Sequence, residues 1–425
     1  MKVRRFNIFI TFLLLSLIIS CQKDIFLIED SMPVTSMTES TQGNKIQVIW
    51  QRPMGVVDTN IYLNEGVIIA NDKVVATPAK SNGTITYFWD KRTGNYLFKW
   101  DDWIRPANLS TPVQFIDDKI YGNSGYQAYL ADNNTGQTIW RSTPIDRGDP
   151  RTTISLGHIF HTTRDKSPQT NNFAFLTSLD IETGVRDTLM TIPKIDNYNP
   201  NLEPPAGWIA PTGDSLLIFV NRSLNFGGDL DERLDAYAYN MTADSIEWRL
   251  LDFDLEGSAR VGPPLIEEDL VYISGEQTLY CLNAADGTTV WEHRFEDDTG
   301  GFSESLFISA MIKAGHRLVI SPTNRNTYCF DAYTGEQLWK ETDSASSPQN
   351  MIHHNGIIYV VSEGRGQLMA FDLETGEHYW REYPPNRRSD SRAGFFNEIA
   401  IDPETGYIYA DDRFFVLCIK PYERE

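Results

Sequence analysis

The sequence predicts an all-β fold, an eight-bladed β-propeller with four-stranded antiparallel blades, and three observations predict it. One eleven-residue phrase recurs along the chain, its copies fall at near-constant spacing, and the two chain ends carry complementary pieces of one further copy. A repeat of this kind sets the architecture before any local argument does.

The clearest copies run from Cys329 to Trp339, Ala370 to Trp380 and Cys281 to Trp291, with looser ones from Leu130 to Trp140 and Ala238 to Trp248. Two more worn versions lie from Phe88 to Phe98 and Ser178 to Thr188. Each reads as alternating apolar residues, an Asp, two free positions, Thr-Gly, then renewed alternation, which is strand, tight turn, strand. The Asp side chain accepts from backbone amides two residues on, and Gly supplies the left-handed conformation at the exit. Asp90, Asp132, Asp180, Asp331 and Asp372 are therefore turn-makers rather than catalysts.

The turn glycines Gly94, Gly136 and Gly184, and again Gly287, Gly335 and Gly376, stand 41 to 48 residues apart. That period, with four short strands per unit, is a propeller blade. Seven copies are countable, and the eighth is split. Phe415–Lys420 matches a third strand, with Cys418 in the place of Cys281 and Cys329, and Ile46–Trp50 reads as the missing fourth. Pairing them closes the ring, removes the open edge and implies a monomer.

Trp50, Trp140, Trp248, Trp291, Trp339 and Trp380 recur on the outer strand, with Phe98 and Thr188 as departures. Burying an indole removes about 150–250 Å² from water, so these residues are expected to pack blade against blade. Cys281, Cys329 and Cys418 occupy one repeat position in three blades, too far apart to bridge, and are expected as buried thiols.

Ahead of the repeats, Lys2, Arg4 and Arg5 precede an apolar run from Phe6 to Ile19 that closes on Ser20-Cys21. This is a secretory signal, too short to span a bilayer. Residues 1–20 are expected to be removed, 21–45 to form an aperiodic, flexible tether, and 46–420 to form the propeller. The formal charge of −21 offers no basic stripe for nucleic acid.

The phrase Ala/Cys-x-Asp-x-x-Thr-Gly-x-x-x-Trp resembles the repeat of the PQQ-like propellers. That superfamily includes quinoprotein alcohol dehydrogenases and outer-membrane assembly lipoproteins of the BamB type. Ile18–Cys21 resembles the lipobox of bacterial lipoproteins, which implies cleavage before Cys21 and its acylation. Several acyl chains give stable anchoring. Gln22 next to it resembles lipoproteins sent to the outer membrane of Gram-negative bacteria. Gln22-Lys23-Asp24 is similar to part of a surface-export signal, so periplasmic and surface display both stay open.

The dehydrogenases of that superfamily use an adjacent pair of cysteines against the quinone, a Ca²⁺ held by Glu, Asn and Asp, and a catalytic Asp. The sequence has no Cys-Cys pair and no haem-attachment motif. The acidic run Asp229–Asp235 lacks an EF-hand pattern and reads as a solvated loop. His353-His354 point to opposite faces of a strand, and His158 and His161 flank a strand-like pair, so no metal site is expected. The expectation is therefore no enzyme, no cofactor and no metal.

Long insertions mark one end of the ring: Arg141–Thr153, Thr163–Asn172, Thr191–Trp208, Asn221–Leu234, Arg294–Ser305 and Arg381–Gly394. Loops of this length are functional sites more often than simple connections. They carry Arg147, Arg151, Tyr198, Trp208, Tyr383, Arg387, Arg388 and Arg392, and Trp103 with Arg105 lies nearby. Arg and aromatic residues on a polar background favour protein partners. The function expected is a membrane-anchored, non-enzymatic scaffold for other envelope proteins. The alternative is a small-molecule or glycan binder using the central channel, with residual quinone binding there, and last in order a quinoprotein dehydrogenase.

Overall fold

The computed structural model describes residues 45–54, 64–80, 83–102, 113–123, 127–143, 148–164, 172–225, 232–254, 262–275, 277–295, 308–322, 324–342, 350–362, 364–385, 387 and 393–424. These all fall in the unit Ser36–Glu425. The signal run, Cys21 and the tether lie outside the described residues.

Eight antiparallel sheets follow one another: blade 1 within 64–100, blade 2 within 114–141, blade 3 within 148–193, blade 4 within 198–254, blade 5 within 265–294, blade 6 within 308–341, blade 7 within 351–382 and blade 8 within 400–419. The fourth strand of blade 8 is Val48–Pro53, paired antiparallel with Phe415–Ile419 in the register Trp50 to Cys418 and Pro53 to Phe415. First strands of neighbouring blades meet from blade 3 round to blade 8, between blades 8 and 1, and between blades 1 and 2. They form the inner rim, which the N-terminal strand closes from outside.

The turns form as their residues dictate. In blade 6, Asp331 Oδ1 accepts from the amides of Tyr333 and Thr334 and from the Thr334 hydroxyl, and Gly335 follows at φ 73°. Blade 4 reaches the same turn with Asn240 in the Asp place and Asp244 at φ 52° in the Gly place. A further Asp-x-x-Thr-Gly turn, Asp402 to Gly406, joins the first two strands of blade 8 rather than the last two.

In every blade the pairing of the third and fourth strands carries a register irregularity. Such bulges increase local twist, which suits turning the outer side chain toward the next blade. The Nε1–H of Trp50, Trp140, Trp248, Trp291 and Trp339 donates to the carbonyl of Lys91, Ile181, Ala284, Ala332 and Leu373 at 2.7–3.2 Å. A Cβ placed on Gly335 would lie 2.7 Å from the Trp291 ring, so the glycine is required by contact as well as by φ. Trp380 packs in the core shared by blades 7 and 8.

The departures resolve physically. Phe98 covers Gly136, while Trp100, two residues on, stacks on Tyr129 at 3.9 Å and donates to the Thr138 hydroxyl at 2.8 Å. The apolar clusters each join two adjacent blades, so the core lies between sheets rather than within one. Cys281, Cys329 and Cys418 are buried and unbridged, and burial pushes each thiol up to about 12.

Three sequence expectations change here. Part of the Arg141–Thr153 insertion belongs to the strand Gly148–Ser155, and the Thr191–Trp208 insertion contains Tyr198–Asn199 and Ala206–Ile209, both paired with Ser215–Asn225. The Asn221–Leu234 insertion extends a hairpin, with Asn221 opposite Asp235 and Leu224 opposite Glu232. Their polar residues hide the period-two signal, because the strand ends stand clear of the apolar core.

Candidate protein-binding face

The strand order sorts every connection to one of two ends of the ring. The Asp-x-x-Thr-Gly turns and the tight first hairpins share one end; the second-to-third-strand turns and the blade crossovers share the other. The hairpin end is acidic by construction, since its turns are made with carboxylates such as Asp72, Asp90, Asp180 and Asp331. Asp180 and Asp286 are held below the ordinary carboxylate range by the hydroxyls and amides of Thr183 and Thr288.

The crossover end differs most at blades 7 and 8. Tyr383 is 38 % exposed, and the Arg387 guanidinium lies 3.7 Å from its ring centroid, in a turn closed from Arg387 N to Pro384 O. Beside blade 8, Phe396 lies against Gly366, where a Cβ would meet its ring at 2.8 Å, and Arg413 covers the ring at 4.0 Å. The segment is knitted in place by Phe395 N to Gly366 O at 3.1 Å and by Asn397 Nδ2 to both Asp411 carboxylate oxygens at 2.9 and 3.1 Å. Two Arg–aromatic stacks are thus fixed on a rigid frame.

The other expected interface residues divide. Trp208 is a correction: it is 6 % exposed, its indole donates to Glu268 O at 2.8 Å, and it packs in the core of blades 4 and 5. It cannot serve as an exposed anchor, because the proline-rich stretch around it lies on the inner rim rather than outside. Arg151 is paired with the buried carboxylate of Glu203, and Tyr198 is a half-buried strand residue opposite Asn225. Trp103, Arg105, Arg147, Arg388 and Arg392 lie outside the described residues. Phe396 and Arg413 were missed by sequence reasoning, since they sit in a short turn and a segment with no periodicity.

Elsewhere, His161 is fully buried with Nε2 on the Tyr121 hydroxyl, and burial pushes it down to about 3, so it stays neutral and serves packing. Near the inner rim, Glu398 is pushed up to about 7 by burial, and its carbonyl accepts from Val67 N at 3.2 Å. Asp235, from the acidic run, is spent on Arg233 and the Asp252 amide. Among the described residues no group of three His, Cys, Asp or Glu has metal-ligand geometry. The three described cysteines lie in separate blades, so no adjacent cysteine pair stands among the described residues.

A family model described as outer membrane protein assembly factor BamB matches residues 232–310 and 304–382. BamB from Moraxella catarrhalis superposes with a TM-score of 0.56 at 15 % identity, covering 89 % of this chain and 99 % of that one. The chain is an eight-bladed propeller that resembles BamB and the PQQ-like propellers. The same architecture holds a quinohemoprotein alcohol dehydrogenase of Pseudomonas putida, at TM-score 0.59 and 12 % identity over 90 % of this chain and 78 % of that one. It also holds Chaetomium thermophilum Sqt1, solved bound to the N-terminus of a ribosomal protein, at TM-score 0.58 and 12 % identity over 84 % and 97 %.

Two curated relatives are both named polyvinylalcohol dehydrogenase. The protein of a Pseudomonas species is 23 % identical over 191 residues, and that of a Sphingopyxis species is 29 % identical over 154. The matches cover 37 % and 31 % of this chain, and they span only 30 % and 23 % of the relatives' own length. These names overturn the expectation that the chain is not an enzyme. The missing cysteine pair removes one clamp of known quinoproteins, but it does not exclude catalysis.

Proposed function

We propose that the chain is a cell-envelope propeller that presents its crossover end to another envelope protein. In this reading residues 46–420 form the ring, 21–45 tether it, and acylated Cys21 holds it at the outer membrane. The observation that carries the proposal is the pair of Arg–aromatic stacks, Arg387 on Tyr383 and Arg413 on Phe396, at one end of the ring. Rigid aromatic and Arg side chains are the commonest anchors of protein interfaces. The resemblance to BamB supports the same class of role, and Trp103, Arg105, Arg147, Arg388 and Arg392 are proposed as further parts of the face.

A photo-crosslinking residue at Tyr383 tests this in intact envelopes, with Tyr333 at the hairpin end, 44 % exposed, as the control. A discrete protein adduct from position 383 and none from 333 supports the reading; adducts from 333 alone, or from neither, remove it.

The names of the curated relatives favour a second reading, oxidation of an alcohol substrate. Adding pyrroloquinoline quinone and Ca²⁺ to the mature protein, with a dye as electron acceptor, separates the two. Dye reduction dependent on alcohol supports the second reading, and its absence with quinone in excess counts against it.

A further inference from the structure

We infer that the recess between blades 8 and 1 at the hairpin end seats a guanidinium group, held by the carboxylates of Asp90 and Glu404 and by the Asp72 carbonyl. The site lies at the end of the ring opposite Tyr383, so it goes beyond the protein-binding reading and stands or falls without it.

The chain itself shows how a hairpin end takes a guanidinium. Arg424 Nη2 donates to Gly356 O and to Asp372 Oδ2, both at 2.7 Å, on the two turns of blade 7. Asp372 has that oxygen to give because it makes its turn with the other one: Oδ1 accepts from the amides of Glu374 and Thr375 at 2.8 Å. Gly356 O already accepts from Leu373 N at 2.9 Å, and a carbonyl oxygen has a second lone pair for the guanidinium.

Blade 1 repeats the arrangement. Asp72 O accepts from Lys91 N at 2.8 Å as Gly356 O does from Leu373 N, and Asn71 and Asn355 precede the two carbonyls at φ 59° and 50°. Asp90 makes its turn with Oδ1, which accepts from the amides of Arg92 and Thr93 and from the Thr93 hydroxyl. Among the described residues no donor reaches Asp90 Oδ2. Where Arg424 fills the seat in blade 7, blade 1 has a recess of about 500 Å³ lined by Asn71, Asp72, Asp90, Lys91, Arg92 and Glu404.

The charges around the recess favour a cation. Lys91 is spent on Asp402 at 3.1 Å and Lys73 on Asp72 at 2.7 Å, which leaves Asp90 and Glu404 against Arg92. Glu404 keeps only a 3.9 Å contact with Lys91, and its side chain is 71 % exposed, so it is free to turn toward a ligand. A planar guanidinium presents several donors at fixed angles and so bridges carboxylate and carbonyl acceptors, which a point-like ammonium does less well. The formal charge of −21 draws such a cation toward the protein.

The test uses the mature protein and a short rhodamine-labelled peptide of Gly and Ser around one Arg, followed by anisotropy at low salt, with Lys and citrulline counterparts. Asp90→Asn removes the charge and keeps the turn, since Asn240 and Asn283 make the same turn in blades 4 and 5. It is expected to weaken binding of the Arg peptide about tenfold, while Asp180→Asn, the same change in blade 3, alters nothing. Arg92→Ala is expected to tighten binding about twofold. If Asp90→Asn melts early, Glu404→Gln, expected to cost about threefold, carries the test. No binding by the parent, a Lys or citrulline peptide bound as well as the Arg peptide, or equal losses from Asp90→Asn and Asp180→Asn overturns the inference. Free arginine that competes as well as the peptide would mark a small solute as the occupant, and free arginine that competes far less well would mark a partner's Arg side chain; both keep the seat. Capture from position 383 is expected unchanged in Asp90→Asn, so failure here leaves the protein-binding reading standing.

Discussion

Replacing Trp291 by alanine probes the device that joins the blades. The indole is 8 % exposed, lies on the backbone of Gly335 and donates to Ala332 O at 2.9 Å across the boundary of blades 5 and 6. That carbonyl also accepts from the Tyr272 hydroxyl at 3.2 Å, so losing the indole leaves no orphaned acceptor. The hydrogen bond then contributes about 1 kcal/mol, and the rest of the cost is packing. Truncating a buried Trp costs about 3–5 kcal/mol, and with one partner of the carbonyl retained the value expected is about 4 kcal/mol. Urea unfolding followed by far-ultraviolet circular dichroism measures it without relying on the deleted fluorophore. A loss below about 1 kcal/mol, or capture from position 383 abolished in a variant of unchanged midpoint, would refute the assignment of the indoles to blade packing.

The remaining predictions concern closure, thiols and acid. Lys91 and Asp402 form a buried ion pair between blades 1 and 8 at 3.1 Å, with side chains 11 % and 3 % exposed. Lys91→Met strands the Asp402 carboxylate and is expected to cost about 3 kcal/mol in a thermal or urea melt, whereas a neutral result would place the ring's closure elsewhere. Cys281, Cys329 and Cys418, each pushed up to about 12 by burial, are expected to resist a thiol reagent at pH 8 until the protein unfolds. Rapid native-state labelling would contradict their placement. Asp180 and Asp286 are held below their ordinary pKa by threonine hydroxyls and backbone amides, so their contribution is present above that value and lost as pH falls through the depressed one. A midpoint lower at pH 3 than at pH 6 is expected, and Thr183→Val is expected to lessen the difference.

Much of the fold was legible because the repeat writes the same physics many times. An Asp that closes a turn, a Gly that must be left-handed and bare, and an indole that needs both are hard to disguise, and the split blade followed from Ile46–Trp50 and Phe415–Lys420. Legibility failed where one residue type serves two settings. Trp208 among prolines resembles an exposed anchor, yet it packs in the core of blades 4 and 5; Trp100 stands two places out of phase, so the Thr138 contact was invisible. Polar strands such as Gly148–Ser155 carry no apolar alternation and pass as loops. At the candidate face, Tyr383 and Arg387 stood out by composition, while Phe396 and Arg413 did not.

Every assignment of a residue to one end of the ring requires that Val48–Pro53 be the outer strand of blade 8. Amide hydrogen exchange on the mature protein tests this directly. The amides of Val48–Pro53 that face Phe415–Ile419 are expected to exchange as slowly as those in the outer strand of blade 7, His378–Glu382. Complete exchange at the earliest time point for Val48–Pro53, with blade 7 still protected, would mean an open ring and would withdraw the two-ended account.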